Sequence, residues 1–291
     1  MAFLDLQGTS TFTLIKRTFK NFISDDMPTY AAALSYRALF ALFPFLLFLI
    51  AMLSFLNLQD FFGWLREQAA LVLPSAALEI VDPVITDLQS GKNSIFSVAI
   101  VVAIWVASNG IRSLMNAMNK AYNVSETRPG WKRYLLSVAY TVGLALLLLT
   151  ATALMVVGPG LIAWIGSWVG LGDMAVTLWA VLRWPFAIML LMLVVALLYY
   201  FTPDVEQKFR YITPGSIMAV IIWIVASLGF GFYVSNFGNY DAMYGGIGAM
   251  IVLLLFFYIS SAVLLLGAEL NATIEHASTE GKDKGEKQVE S

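Results

Sequence analysis

Six long apolar runs, separated by turn residues and charged segments, constrain this chain more than any other feature of its sequence. They are Ala38–Leu56, Ser94–Ser108, Leu135–Val157, Pro185–Phe201, Pro214–Val234 and Gly245–Gly267. A helix needs about 20 apolar residues to cross the hydrocarbon core of a bilayer, and five of these runs have a workable length. Hydrophobic residues make up 59% of the chain and charged residues 12%, whereas soluble proteins have about 45–50% and about 25%. The sequence therefore predicts an integral membrane protein.

Local signals extend the first two runs. Asp26 is placed to cap a helix that has Pro28 in its first turn, which predicts a first span of about 29–56. The second run is only about 22 Å long at a rise of about 1.5 Å per residue. An apolar stripe at helical spacing continues beyond it through Ile111, Leu114, Met115, Met118 and Tyr122. The second span is therefore predicted at about 94–122.

Proline positions suggest where two later spans begin, since proline suits the first turn of a helix. These starts are Thr213–Pro214 and Arg183–Trp184 before Pro185. The remaining spans are predicted at about 134–157, 185–201, 213–234 and 245–269. The predicted fold class is all-α, a polytopic membrane protein with six transmembrane helices and additional amphipathic interfacial helices.

The basic residues predict the orientation of these spans. Fourteen of the 17 Lys and Arg residues fall before the first apolar run, between the second and third runs, between the fourth and fifth runs, or after the sixth run. Only Arg66, Lys92 and Arg183 fall on the other side. Because basic residues concentrate on the cytoplasmic side, both termini are predicted to be cytoplasmic. The even number of spans gives the same result.

The two ends of the chain are predicted to lie outside the spans. Apolar residues recur at helical spacing over about 12–23, with Lys16, Arg17 and Lys20 elsewhere on the helix, which favours a helix at the surface of an anionic leaflet. It could act as a lipid-headgroup sensor or merely as an anchor. No continuous apolar core of a cleavable signal peptide is visible in the first thirty residues. Residues 277–291 are polar without periodicity and are predicted to form a disordered cytoplasmic tail.

Two external segments between spans, 58–93 and 158–182, are long and contain apolar or aromatic residues. The first is acidic and broken by Pro74 and Pro83, and the second contains Trp164, Trp168 and Trp179. Both patterns are typical of segments that lie on the outer membrane surface or re-enter it. Either segment could cover an opening, and either could be packing material.

Composition excludes several kinds of chemistry. The chain has no Cys and one His, so it cannot form a disulfide framework, a thiolate site or a multi-His metal site. It has no Walker motif for ATP, and its net charge of −2 does not favour nucleic acid as a partner. We therefore predict no catalytic residues, no cofactor and no metal, and expect membrane lipids and an amphiphilic or solute substrate as partners.

Ionisable residues inside spans are the first candidates for function in a membrane protein. Arg37 lies within the first predicted span, and Glu269 ends the last one immediately after Gly267–Ala268, where another backbone can approach. The two could form an intramembrane ion pair, or each could reach the cytoplasmic interface separately. Pro44 should kink the first span, because it removes a backbone hydrogen bond.

The segment Asn236–Gly248 between spans five and six is a second candidate site. Its glycines allow a tight turn, and its polar side chains offer hydrogen-bonding groups at the external mouth. The candidate residues are Asn239, Tyr240, Asp241, Tyr244, Gly245 and Gly248. They could form a substrate rim or simply pack the turn.

Four segments together resemble the YihY/BrkB family of bacterial inner-membrane proteins. They are Ala31–Pro44 (AAALSYRALFALFP), Tyr122–Trp131 (YNVSETRPGW), Thr213–Gly215 (TPG) and Asn239–Ala272 (NYDAMYGGIGAM through LLLGAELNA). Their order and spacing carry the resemblance, which extends over nearly the whole chain to about Ile274. Tyr36 belongs to the first segment and is a candidate functional residue. Ala41 departs from a common family form, in which a serine often stands.

The resemblance implies a six-helix protein of the bacterial inner membrane with cytoplasmic termini. It also implies a role in envelope integrity and in movement of lipid-like or other solutes. Some family members carry an old label as ribonuclease BN. The residues do not support that activity here, since no cytoplasmic segment contains a cluster of carboxylate or His ligands.

Two functions fit these observations. A transporter or flippase-like protein would move an amphiphilic or lipid-related substrate, since few buried charges suit an amphiphile better than a strongly ion-coupled pump. A non-transporting membrane scaffold would support envelope assembly through its interfacial helices. The sequence does not determine the substrate, the energy coupling or the oligomeric state.

Overall fold

The computed structural model describes residues 10–55, 86, 93–147, 150, 172–207, 211–237, 246–278 and 286–287. These residues form helices, turns and loops, and no strand occurs among them. Helix α1 spans Thr11–Ser24, α2 Met27–Phe55, α3 Asn93–Ala121, α4 residues 130–147, α5 Gly172–Phe201, α6 Pro214–Phe237 and α7 Gly246–Ala277. The predicted all-α class is confirmed over this part of the chain.

Three helices contain segments long and apolar enough to cross a membrane, within the part of the chain that the structure describes. They are Val176–Phe201, Pro214–Val234 and Met250–Ala277, with mean hydropathies of 2.4, 2.3 and 2.6. Large apolar side chains are exposed along them, including Leu228 and Phe232. Contiguous apolar surface of this kind is costly in water, at about 25 cal/mol per Å², so these faces require lipid. The chain is an integral membrane protein.

Short polar motifs determine where several helices end. Asn123 follows α3 with a φ of 56°, in the left-handed region that Asn tolerates. The Val124 and Asn123 amides donate to the carbonyls of Asn119 and Lys120, which completes a Schellman motif. Gln207 donates to the Tyr199 carbonyl at the end of α5, at 2.7 Å. These groups satisfy carbonyls that the helices themselves leave without partners.

Two predicted boundaries need correction. The fourth span was predicted to begin at Pro185, but α5 begins at Gly172 and contains Pro185 inside it. A proline costs one backbone hydrogen bond, and in lipid breaking the helix would leave more backbone groups without partners. The sixth span was predicted to end at Glu269, but α7 continues to Ala277. Asn271 and Thr273 are buried in protein, so polar side chains do not end the helix there.

The described residues fall into two compact units. Unit 1 contains residues from Met1–Pro28, Leu114–Ile224 and Ala262–Ser291. Its core includes Leu114, Met115, Met118 and Tyr122, which confirms that the apolar stripe of α3 continues past Gly110. Unit 2 contains residues from Thr29–Ser113 and Val225–Ser261. Phe230 of α6 and Phe256 of α7 pack in unit 2 with their ring centroids 5.3 Å apart.

Candidate functional site

Helices α6 and α7 approach closely in unit 1 where Gly215 and Gly267 face each other. A Cβ on Gly267 would lie 2.6 Å from the Gly215 carbonyl oxygen and 2.8 Å from the Ala219 Cβ. A Cβ on Gly215 would in turn collide with the Gly267 carbonyl and lie 2.6 Å from the Asn271 amide group. The backbone approach predicted at Gly267 is confirmed, and its partner is Gly215. We call this contact the glycine crossing.

Asn271 joins the two helices at the glycine crossing. Its Oδ1 accepts a hydrogen bond from the Gly215 amide at 2.9 Å, and its Nδ2 donates to Thr213 Oγ1 at 3.0 Å. The start of α6 is also capped by its own residues. The Ser216 amide donates to Thr213 Oγ1 at 3.1 Å, and the Thr213 amide donates to Ser216 Oγ at 3.0 Å. This reciprocal cap confirms the predicted helix start at Thr213–Pro214.

Tyr199 of α5 attaches a third helix to the same place. Its hydroxyl donates to the Leu264 carbonyl of α7 at 2.6 Å, and it would collide with a Cβ on Gly267. The side chain is buried, so the hydroxyl needs the partner it has. The sequence patterns used above did not identify Tyr199 or Asn271 as candidates.

Glu269 lies in α7 two residues after Gly267, and only 1% of its surface is exposed. It sits two turns before the end of the helix, among the buried residues Ala268 and Leu270. A carboxyl group in such a place is costly to bury and is retained where it has a role. Its predicted position at the end of the helix is corrected, because α7 continues to Ala277.

A cluster of charged and polar groups joins the loops that follow α3 and α5 in unit 1. We call it the loop cluster; its members are Asn119, Glu126, Thr127, Arg128, Asp204 and Lys287. Arg128 donates to Glu126 through two nitrogens, with distances of 2.7 and 2.8 Å. Asp204 Oδ2 accepts hydrogen bonds from the amide and the hydroxyl of Thr127, each at 2.8 Å.

Asn119 links the backbone of Asp204 to the carboxylate of Glu126 in the loop cluster. Its Oδ1 accepts from the Asp204 amide at 2.7 Å, and its Nδ2 donates to Glu126 Oε2 at 3.0 Å. Arg128 also donates to the Thr202 carbonyl at 3.0 Å, close to the end of α5. The cluster therefore holds the start of α4 against the end of α5.

The carboxylates of the loop cluster are stabilised in their charged form. Burial disfavours ionisation of Asp204, but hydrogen bonds from Lys287 and Thr127 outweigh it and lower its pKa to about 2. Burial acts in the same way on Glu126, and hydrogen bonds from Arg128 lower its pKa below the usual value. The pKa of Arg128 is raised, because these bonds outweigh the effect of burial. The cluster is a set of compensated charges.

Lys287 shows that part of the predicted disordered tail takes part in this cluster. Its Nζ donates to Asp204 at 2.5 Å and to Thr127 Oγ1 at 2.6 Å, and its carbonyl accepts from the Glu206 amide at 2.8 Å. The prediction of a disordered tail over 277–291 did not anticipate these contacts of Lys287. No sequence pattern indicated this contact, because its partners lie far away along the chain.

Three further candidate residues, Tyr36, Arg37 and Pro44, lie on α2 in unit 2. Arg37 is half-buried in α2 and donates to the Asn109 carbonyl of α3 at 3.3 Å. Its pairing with Glu269 stays a prediction. Tyr36 is 57% exposed and contacts Phe40, with ring centroids 4.6 Å apart. Pro44 lies inside α2. The kink at this residue stays a prediction.

Most of the second candidate site lies outside the described residues. This applies to Asn239, Tyr240, Asp241, Tyr244 and Gly245, and also to the external segments 58–93, apart from residue 86 and the start of α3, and 158–171. Gly248 is described, and it is buried in the first turn of α7.

Comparison with known proteins identifies relatives over nearly the whole chain. The family model described as Virulence factor BrkB matches residues 18–291. YfkH of Bacillus subtilis, which is named ribonuclease-like, is 33% identical over 90% of this chain and 95% of its own length. A UPF0761 membrane protein of Xanthomonas campestris is 27% identical over 88% of this chain. This chain spans 59% of the length of that Xanthomonas protein. No solved structure matches the chain.

Proposed function

This chain belongs to the Virulence factor BrkB family of membrane proteins, and we propose that it moves an amphiphilic or lipid-related substrate across the bacterial inner membrane. The proposal includes six spans, both termini in the cytoplasm and a role in envelope integrity. The chain acts without catalysis in this proposal, and the ribonuclease-like name of YfkH is not carried over. Within the described residues, no group of three or more His, Asp or Glu side chains could hold a metal ion.

The observation that carries the proposal is the burial of Glu269 inside the apolar helix α7. Keeping a carboxyl group there costs free energy, and in membrane proteins such groups mark paths and gates. It lies next to the glycine crossing, where three helices are held together. A charge change at this position therefore acts directly on the packing of the cytoplasmic half of α7.

The position of α1 supports a membrane-surface role for the start of the chain. Leu14 packs against Leu270 and Ile274 of α7, and Asn21 donates to Thr273 at 3.2 Å. The opposite face exposes an apolar stripe formed by Phe12, Ile15, Phe19 and Ile23. The basic residues lie beside this stripe, which suits a helix that is fixed to protein on one side and faces anionic lipid on the other.

The experiment that tests the function uses the full chain reconstituted in liposomes with a fluorescent phospholipid. Transport predicts that lipid moves between leaflets faster than in liposomes without protein, and that Glu269→Gln lowers this rate at least tenfold. Glu275→Gln is the matched control, because Glu275 lies in the same helix and is only partly buried. It should keep the rate within twofold.

A non-transporting scaffold is the second candidate, and the glycine crossing favours it, since tightly packed helices are typical of a closed bundle. A scaffold predicts no lipid movement by the wild-type protein, together with envelope defects when the gene is deleted. That pair of results would refute transport. If Glu269→Gln and Glu275→Gln move lipid at equal rates, the argument from the buried Glu269 to transport is wrong.

A further inference from the structure

An apolar groove lies between α4 and α5. It is partly open, and its cavity volume is about 140 Å³. Its walls are mainly apolar, and its lining residues are Ala139, Tyr140, Gly143, Leu144 and Leu147 of α4 with Leu197, Leu198, Phe201 and Thr202 at the end of α5. All of them belong to unit 1. We call this space the α4–α5 groove.

The groove exists because α4 has small residues where it faces α5. Ala139 and Gly143 are four residues apart, a spacing that normally lets two membrane helices pack closely. Here they do not, because a Cβ on Gly143 would find nothing within 4 Å. The contrast with Gly267 is direct, since that glycine has no room for a Cβ. An apolar space of this kind in a membrane helix pair is suited to a hydrocarbon chain.

One end of the groove is more polar than the rest. Tyr140 and Thr202 lie there, and the Tyr140 and Phe201 rings pack with centroids 5.5 Å apart. Beyond this end, Arg128 donates a hydrogen bond to the Thr202 carbonyl. The other end, at Leu147 and Leu197, is apolar. The groove thus has one polar and one apolar end, which matches the two ends of an amphiphile.

An exposed basic side chain lies on the same helix face towards the polar end. Lys132, Leu136, Tyr140 and Leu144 follow each other at four-residue steps on α4, so they share one face. Lys132 is exposed and lies about 12 Å before Tyr140 along the helix axis. Trp131 beside it is 69% exposed, as expected for a side chain at the headgroup level of a bilayer.

From this arrangement we propose that the α4–α5 groove binds one acyl chain of a phospholipid whose anionic headgroup lies at Lys132. The apolar walls take the hydrocarbon, and the ammonium group of Lys132 neutralises the phosphate. This site deepens the proposed function, because it names an anionic phospholipid of the cytoplasmic leaflet as the substrate class. It rests on the proposed function for the orientation of the helices in the membrane.

The test uses the full-length protein in nanodiscs with phosphatidylglycerol that carries a photoreactive diazirine in the middle of one acyl chain. After illumination, labelled peptides are identified by mass spectrometry. We expect labels on peptides that contain residues 139–147 and 197–202. A chemically matched phosphatidylcholine probe should label the same peptides less, by about fivefold for one charge near the headgroup.

Gly143→Leu is designed to fill the groove, because a Cβ at this position meets nothing within 4 Å and leucine is a better helix former than glycine. We expect it to lower labelling of these peptides at least fivefold. Gly229→Leu in α6 is the matched control, since a Cβ there also meets nothing within 4 Å. It should keep labelling within twofold. Equal labelling in both variants would overturn the site.

Lys132→Gln tests the headgroup contact separately. It should remove the preference for phosphatidylglycerol over phosphatidylcholine, whereas Lys132→Arg should retain it. If Lys132→Gln keeps the preference, the headgroup assignment is wrong.

Flux measurements on the same variants in liposomes separate the site from the function. Specific labelling without lipid movement would leave the site standing and refute transport. Lipid movement that Gly143→Leu does not change, with labelling spread evenly over all helices, would refute the site and leave transport standing.

Discussion

The glycine crossing makes a quantitative prediction for Gly267→Ala. The added Cβ would lie 2.6 Å from the Gly215 carbonyl oxygen, whereas ordinary contact begins at 3.4 Å. Helices α6 and α7 would therefore have to separate by about 0.8 Å, because the Gly215 oxygen and the Ala219 Cβ belong to or adjoin the backbone. The Tyr199 hydroxyl, which lies closer still to the added Cβ, would also have to move. The Asn271 bond to the Gly215 amide, now 2.9 Å, would lengthen with them.

The expected loss of stability follows from three effects. Overpacking costs about 1–3 kcal/mol, and a weakened buried hydrogen bond adds about 1 kcal/mol. Alanine is a better helix former than glycine, which returns about 1 kcal/mol. We expect a net destabilisation of about 2 kcal/mol and a fall in melting temperature of about 5 °C.

Thermal unfolding of the purified protein in a mild detergent measures this effect. Gly229→Ala and Gly231→Ala in α6 are the controls, because a Cβ at either position meets nothing within 4 Å. These variants should melt at the wild-type temperature or slightly above it. If Gly267→Ala is as stable as the two controls, the crossing is looser than described and the reasoning fails.

Three further predictions use the same assay or simple expression tests. The pKa of Asp204 is lowered to about 2, so its charge stabilises the fold above about pH 4, and the stability difference from Asp204→Asn should vanish as pH falls from 4 to 2; a constant difference contradicts this. Asn271→Ala should cost about 1–3 kcal/mol, whereas exposed Asn236→Ala should cost under about 0.5. If Arg37 and Glu269 pair, exchanging both charges should restore the expression that each single reversal loses.

The start of α6 could be predicted from the sequence because its determinants are neighbours. Thr213, Pro214 and Ser216 are adjacent, and capping chemistry acts within one helical turn. The same reasoning failed at Pro185, since a rule derived for helices in water was applied to a segment in lipid. A capping or proline rule that was derived for helices in water therefore predicts a helix start only where that part of the helix is in water.

The loop cluster could not be predicted, although Glu126 and Arg128 stand in a segment that resembles the family. Asp204 and Lys287 come from distant parts of the chain, and short polar segments have no periodicity that would indicate a partner. The glycine crossing could be predicted in part from the sequence. Gly267 indicated that a backbone approaches, but only the structure identifies Gly215 and Asn271 as the partners.

Helix α5 connects the two features on which the proposals rest. Tyr199 is bonded to α7 beside Gly267, whereas Leu197 and Phe201, two residues to either side, point to the other face of the helix and line the groove. The wall that α5 contributes is therefore fixed from behind by a buried hydrogen bond. The loop cluster fixes the start of α4 at Thr202. If the groove changes width when a lipid enters, the part of α4 around Gly143 has to move, because α5 is held on both sides.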